Sequence, residues 1–292
     1  MAFLEYNPRD TLYHYCSKDA FRGVISTKEL WFSNLRSAND PRELTYGYDN
    51  VFRILRATSS RTESAEIRRI VDYLDKNLTI FYNSVNVYCA CFTHIGDSLP
   101  MWGAYGGAYT GLSIGFRPTA ITDIPARIQK VRYLAQGDDR ELSEFLIDII
   151  SSFRGWEKEL EAIKLVASTL SAIVALKHNT WSYEQEVRMT YVQVRNRPSK
   201  PAPNLESAVS IGVDDKTIYW REPHTRTLGE NTIEYLNFPY GKYLLKNHDA
   251  RMAIKEIIDG PKCDLSDQEI SDTLTKNGFR NFIIKRSVCD IR

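Results

Sequence analysis

Residues 181–194 read WSYEQEVRMTYVQV, and their periodicity decides the fold class. From Glu186 onward the residues alternate as a strand requires. Val187, Met189 and Tyr191 point one way; Glu186, Arg188 and Thr190 point the other. If the strand begins near Glu184, period two adds that carboxylate to the charged face. Two carboxylates and a guanidinium in a row suit a core poorly. One reading is an exposed strand face carrying a salt bridge, because runs of charge usually face solvent. The other is a carboxylate pair in a cleft, with Arg188 keeping Glu186 ionised.

Similar strands flank this one. Residues 11–16 (TLYHYC), 30–34 (LWFSN), 87–93 (VYCACFT), 111–117, 129–134, 255–260 and 281–286 are short and rich in β-formers. Between them lie amphipathic helices. Ser17 caps one that runs to about residue 30, with Phe21, Val24 and Ile25 on its buried side. Helices over 63–78, 139–153 and 157–177 follow, and Ser266 with Glu269 forms a capping box for a helix ending at Gly278. Asn39-Asp40-Pro41 is a turn signal, and residues 195–204 (RNRPSKPAPN) are a Pro-rich surface excursion. The pattern predicts an α+β protein with a mainly antiparallel sheet and a single domain over 1–292, carrying helical insertions at about 50–80 and 138–178.

The chain has 292 residues, 38 basic and 37 acidic, so a wholesale basic surface for wrapping DNA is not expected, although a local groove could still be basic. The opening residues lack a basic stretch followed by an apolar one, which leads us to expect no secretory signal. The most apolar helical stretch, residues 160–176, is interrupted by Glu161, Lys164 and three hydroxyl residues, so no membrane span is expected. Five cysteines without repeated spacing read as reduced thiols in a cytoplasmic protein.

Further segments could carry chemistry. On the first strand His14 shares a face with Leu12 and Cys16, while Tyr13 and Tyr15 share the other. His14 is either a satisfied, half-buried histidine or a hydrogen-bond partner for a ligand hydroxyl. Residues 98–109 (SLPMWGAYGGAY) interleave Trp102, Tyr105 and Tyr109 with glycines, which fits a ring-stacking surface or a tight turn with aromatics packed beneath it. Cys89, Cys91 and His94 lack the second ligand pair of a zinc site, and neighbours such as His14 and Cys16 rarely align for proton transfer.

Taken in order, LYHYCS, LWFSN and NDPRE near the start, CACFTHIGDSLPMWGAYGG and GLSIGF in the middle, WSYEQEVR later and the tail IKEIIDGPKCDLSDQEI with FRNFIIKRS resemble the bacterial domain-of-unknown-function family 2971 over nearly the whole chain. The pattern also resembles the ADP-ribosyltransferase superfamily. That resemblance implies a split antiparallel sheet and NAD as substrate. His14 would fall at the ribose-binding histidine, and YEQE would give the Glu-x-Glu pair, with Glu186 catalytic and Glu184 orienting or deprotonating the acceptor. Tyr105 or Trp102 would stack the nicotinamide, with Tyr15 and Arg188 also in the NAD site. A histidine on the first strand and Glu-x-Glu belong to different branches of that superfamily, and its Ser-Thr-Ser element is absent. The implied activity is transfer of ADP-ribose to a protein or nucleic acid, as in bacterial toxins or defence effectors, without a metal. The alternatives are an NAD hydrolase or a non-enzymatic sensing or interaction module on the same fold.

Overall fold

In the computed structural model, residues 6–37, 42–135, 140–152, 159–195, 221–228, 231–240 and 250–291 are described. The elements run β1 (Leu12–Cys16), α1 (Lys18–Thr27), β2 (Glu29–Asn34), α2 (Glu43–Arg61), α3 (Ala65–Ser84), β3 (Val85–Thr93), α4 (Leu99–Ala104), β4 (Leu112–Phe116) and α5 (Pro118–Ile121). They continue β5 (Arg127–Lys130), β6 (Arg132–Leu134), α6 (Arg140–Ser152), α7 (Glu159–Val174), β7 (Leu176–His178), β8 (Glu186–Val194), β9 (His224–Leu228), β10 (Asn231–Pro239), β11 (Ile254–Asp259), α8 (Asp267–Lys276) and β12 (Ile283–Arg286). The result is a mixed α+β protein with a mostly antiparallel sheet.

Ten strands share one sheet, in the order β12-β11-β4-β1-β3-β2-β10-β9, with β8 paired to β3 and β5 paired to β8. The parallel pairs are β11–β12 within it and β6–β7 beside it. One edge of β3 carries β8 along its whole length, from Val85↔Val194 to Thr93↔Glu186. The other edge is shared. β2 pairs there at Tyr88 and Cys89, and β1 only at Thr93. Between those contacts Ala90, Cys91 and Phe92 have no ladder partner on that edge, so the sheet opens over them.

Alternation along β3 and β8 divides the packing. Tyr88, Ala90, Phe92, Val187, Met189 and Tyr191 enter a core closed by Phe21, Val24 and Ile25 of α1 and by Ile270 and Leu274 of α8. On the opposite face Val85, Val87 and Cys89 meet Leu170 and Val174 of α7. Behind them α2, α3, α6 and α7 pack on one another, so the two helical insertions form one block.

The boundaries depart from expectation where backbone geometry intervenes. The first helix ends at Thr27, because Lys28 turns left-handed and its N–H bonds Val24, which frees Leu30 for β2. Residues 129–134 are not one strand: β5 pairs with β8, and β6 pairs with β7. The helix expected to reach residue 177 stops at Val174, and Lys177 lies on β7. Helix α2 and strands β9 and β10 were not read from the sequence. The turn at Asn39-Asp40-Pro41 and the excursion beyond Arg195 lie outside the described residues.

Gly47 of α2 rides directly on α7: a Cβ there would lie 2.0 Å from the Ile173 carbonyl oxygen. Replacing a helical glycine by alanine ordinarily gains about 1 kcal/mol. Here the clash with backbone dominates, and Gly47→Ala should destabilise by about 1–3 kcal/mol in denaturant unfolding. An unchanged or higher midpoint would refute this packing.

Candidate active site

Strand β8 does not start at Glu184. Residues 179–184 form a 3-10 turn, Gln185 is left-handed at φ 42, and the strand begins at Glu186. The two carboxylates nevertheless meet, because the turn folds Glu184 back onto the same cations. The exposed-face reading fails. β8 lies between β3 and β5, and Glu184, Glu186 and Arg188 are only 3 %, 4 % and 1 % exposed.

Arg188 makes a two-pronged bond to Glu186, Nε to Oε1 at 2.7 Å and Nη2 to Oε2 at 2.8 Å. Its Nη2 also donates to Glu43 Oε1, at the start of α2. Its Nη1 donates to the Val174 carbonyl at 2.7 Å, at the end of α7. Arg188 therefore joins the negative end of one helix to a carboxylate at the positive end of another. Lys177 Nζ reaches Glu184 at 2.6 Å and Glu186 and Glu43 at 3.3 Å each, and sits 4.9 Å from the centre of the Trp181 ring. Tyr105 donates to Glu184 Oε1, and Tyr133 Oη accepts the Glu186 N–H at 2.8 Å. Three carboxylates thus face two cations.

That imbalance separates the two glutamates of YEQE. Burial raises both. At Glu186 the adjoining Arg188, then Lys177, outweigh burial and hold the carboxyl at about 2. At Glu184 burial and the Glu186 charge prevail over Lys177 and Tyr105, and its pKa is raised.

The aromatics sit beside this cluster. Tyr15 and Trp102 meet edge to face at 4.7 Å, with Met101, Ile258, Tyr13, Tyr105, Tyr109 and Tyr183 around them. Trp102 Nε1 donates to Asp97 at 2.6 Å, and Tyr15 Oη to the Ile95 carbonyl at 2.9 Å. Tyr105, at the end of α4, thereby reaches Glu184, while Trp102 packs beside it.

The sequence-derived residues fall into two groups. Glu184, Glu186, Arg188 and Tyr105 share one network, and Tyr15 and Trp102 pack beside Tyr105. His14 is apart. The register Tyr13↔Thr93↔Glu186 puts Tyr13 on the Glu186 face and His14 on the other, where its ring meets Phe92 at 5.7 Å. Its Nδ1 donates to the Cys91 carbonyl at 2.9 Å, at the unpaired edge of β3. Burial lowers its pKa, which leaves a neutral ring with Nε2 as acceptor.

Cys91 itself is exposed at the opening, with its Sγ 4.0 Å from that of buried Cys89. The contact with the Cys89 thiol pushes its own thiol well up, so it is no thiolate nucleophile at neutral pH. Cys16 donates to the Leu112 carbonyl rather than engaging His14, and burial pushes it up to about 12. Among the described residues no group of three or more His, Cys, Asp or Glu could hold a metal ion, and no helix is long and apolar enough to cross a membrane. Sequence reasoning missed Lys177, Glu43 and Tyr133. No motif marks them, and only the folding of the helical block against β8 unites them.

A family model described as protein of unknown function (DUF2971) matches residues 101–189, a narrower span than the motif resemblance. It encloses Trp102, Tyr105, Lys177, Glu184, Glu186 and Arg188, and leaves out Glu43, His14 and Cys91. No curated protein matches the chain, and no solved structure does.

Two outcomes follow from this geometry. Arg188→Met strands buried Glu186 and Glu43 on Lys177 alone, and should cost about 3–5 kcal/mol in denaturant unfolding. A midpoint equal to the parent's would show the pairing to be dispensable. Glu186, held below its ordinary 4.5, contributes stability that is present above pH 4.5 and lost as pH falls through about 2. Glu184, shifted upward, has the opposite sign, and its contribution fades as pH rises. Carboxyl-carbon NMR should show Glu184 taking a proton before Glu186 on acidification; the reverse order would overturn the assignment.

Proposed function

We propose that this chain is an NAD-dependent ADP-ribosyltransferase of bacterial toxin or defence type, on an ADP-ribosyltransferase-like split sheet. The observation that carries the reading is the division of labour between Glu184 and Glu186 beside the opening at Cys91. Two adjacent carboxyls whose pKa values are driven apart are the mark of acid–base partners.

The chemistry follows from that division. Cleavage of the nicotinamide–ribose bond develops positive charge on the sugar, as glycoside cleavage does. Glu186, ionised at neutral pH, supplies the opposing charge and an acceptor for a ribose hydroxyl. Glu184, more easily protonated, takes the proton of the acceptor nucleophile. Tyr105, half-buried and held by Glu184, supplies a flat surface for nicotinamide; the Tyr15–Trp102 pair is buried and backs it. His14, reaching the opening from the other face, offers Nε2 to a ribose hydroxyl. The acceptor is a protein or a nucleic acid; with water in its place the same site would be an NAD hydrolase.

One observation favours a second reading, a non-enzymatic binding module. Both oxygens of Glu186 already accept bonds from Arg188 and Lys177, so substrate would have to displace one of these. The experiment that separates the readings follows nicotinamide release from adenine-labelled NAD, with and without cell lysate. Release that falls at least about a hundredfold in both Glu186→Gln and Glu184→Gln, with unfolding midpoints near the parent's, supports the enzyme. Label on a macromolecule then makes it a transferase, and free ADP-ribose alone a hydrolase. No release and no NAD binding would sink the enzymatic reading and leave the module.

A further inference from the structure

We propose that Arg226, Trp31 and Ser33 form a binding site for a phosphate group on the sheet face that carries Cys91 and Glu186. The site is built by β2, β9 and β10 and uses none of the residues assigned above. It stands on its own geometry, whether or not NAD is turned over.

Register fixes the face. Ser33 is opposite Cys89, and Cys91 is opposite Arg188, so Ser33 shares a side with Cys91 and Glu186. Tyr235 is opposite Ser33, Asn237 opposite Trp31, and Arg226 opposite Ile233, which places all of them on that side. Continuing β2 past Ser33 brings Trp31 to the level of Cys91, where the strands have parted. Trp31 therefore stands at the edge of the opening.

Arg226 is held in place but not neutralised. Its guanidinium carbon lies 5.3 Å from the centre of the Trp31 ring and 5.8 Å from that of Tyr235, and those rings stack at 4.6 Å. Its Nη2 donates to Ser33 Oγ at 3.1 Å, a neutral acceptor. No carboxylate pairs with it among the described residues, and burial lowers its pKa. Among the described residues its buried Nε–H finds no acceptor, and neither does the Trp31 Nε1–H. Asn237 Oδ1 is a third buried group with no partner.

Buried donors without acceptors are costly, and a half-buried cation without an anion is more so. A guanidinium Nε–H and an indole N–H, neighbours in one packed group and both without acceptors, call for an oxyanion. Phosphate supplies the charge and several acceptor oxygens, and Asn237 Oδ1 accepts from a P–OH or a sugar hydroxyl. The phosphate can come free or on a nucleotide.

The test is calorimetric titration of the full chain with inorganic phosphate, ADP and NAD, on the parent and on Arg226→Gln, Arg226→Lys and Trp31→Phe, with unfolding midpoints as controls. Arg226→Gln should weaken phosphate and ADP binding by about tenfold or more, and Trp31→Phe, which keeps the ring and removes the N–H, by about threefold or more. Arg226→Lys should restore little, because a lysine cannot reproduce the fork. If Arg226→Gln fails to fold, Trp31→Phe decides. ADP binding more tightly than phosphate identifies a nucleotide as the ligand; equal binding identifies free phosphate. Failure of phosphate and ADP to bind the parent, or equal binding to all variants, overturns the site. Phosphate binding that depends on Arg226 in a protein that never releases nicotinamide keeps this site and rejects the reaction. Nicotinamide release with a KM for NAD unchanged in Arg226→Gln, and no phosphate binding, keeps the reaction and rejects the site.

Discussion

The structure depends on Arg188 being satisfied. Its guanidinium is nearly inaccessible in the middle of a ten-stranded sheet, and a lone charge there would be prohibitive. Its partners come from three places: Glu186 on its own strand, Glu43 at the start of α2 and the Val174 carbonyl at the end of α7. The helical insertions are therefore not appendages. Removing either would leave a buried guanidinium N–H of Arg188 short of an acceptor, so the block of α2, α3, α6 and α7 is tied to the sheet by electrostatics as well as by the contacts of Leu170 and Val174.

The same requirement creates the candidate site. Arg188 and Lys177 together neutralise two carboxylates, and the network contains three. The surplus falls on Glu184, which has Lys177 and a tyrosine hydroxyl but no share of the arginine. A buried network with one carboxyl too many offers a place for a proton, and it lies beside the one exposed residue of the β3 tip, Cys91. Structural necessity at Glu186 and chemical availability at Glu184 follow from one arrangement of charge.

Much of this was legible in the sequence. Alternation in EVRMTYVQV identified β8, and a capping box identified α8, because period and cap are local properties. Glu184, Glu186 and Arg188 could be singled out because charge at regular spacing is conspicuous beside apolar residues, and Tyr105 because aromatics and glycines interleave over residues 98–109. Their burial could not be seen: it depends on β5 covering the outer edge of β8 and on the helical block covering its charged face. His14 illustrates the converse. Period two correctly separated it from Tyr13 and Tyr15, but which side faces Glu186 depends on the register Tyr13↔Thr93, a pairing of residues eighty apart. Lys177 was hidden differently, as the end of an apolar helix that in fact stops before it. Strands β9 and β10 were missed, and with them Arg226.

Two arginines of this sheet face, Arg188 and Arg226, show what distinguishes a structural charge from an available one. Arg188 has a carboxylate on its own strand, a second on a helix and a carbonyl at a helix end, so nothing from outside can improve its position. Arg226 has two aromatic rings and a serine hydroxyl, none of which carries charge, and its Nε–H is left without an acceptor. Among the described residues two buried carboxylates pair with Arg188 and none with Arg226. Burial alone would mark both as unusual; the inventory of acceptors tells them apart. Glu184 and Arg226 are incomplete in opposite senses, one with an excess of negative charge around it and one with a deficit. A ligand that brings an anion to Arg226 and a developing cation to the carboxylates would complete both, which is the charge distribution of a phosphorylated sugar losing a leaving group from its anomeric carbon.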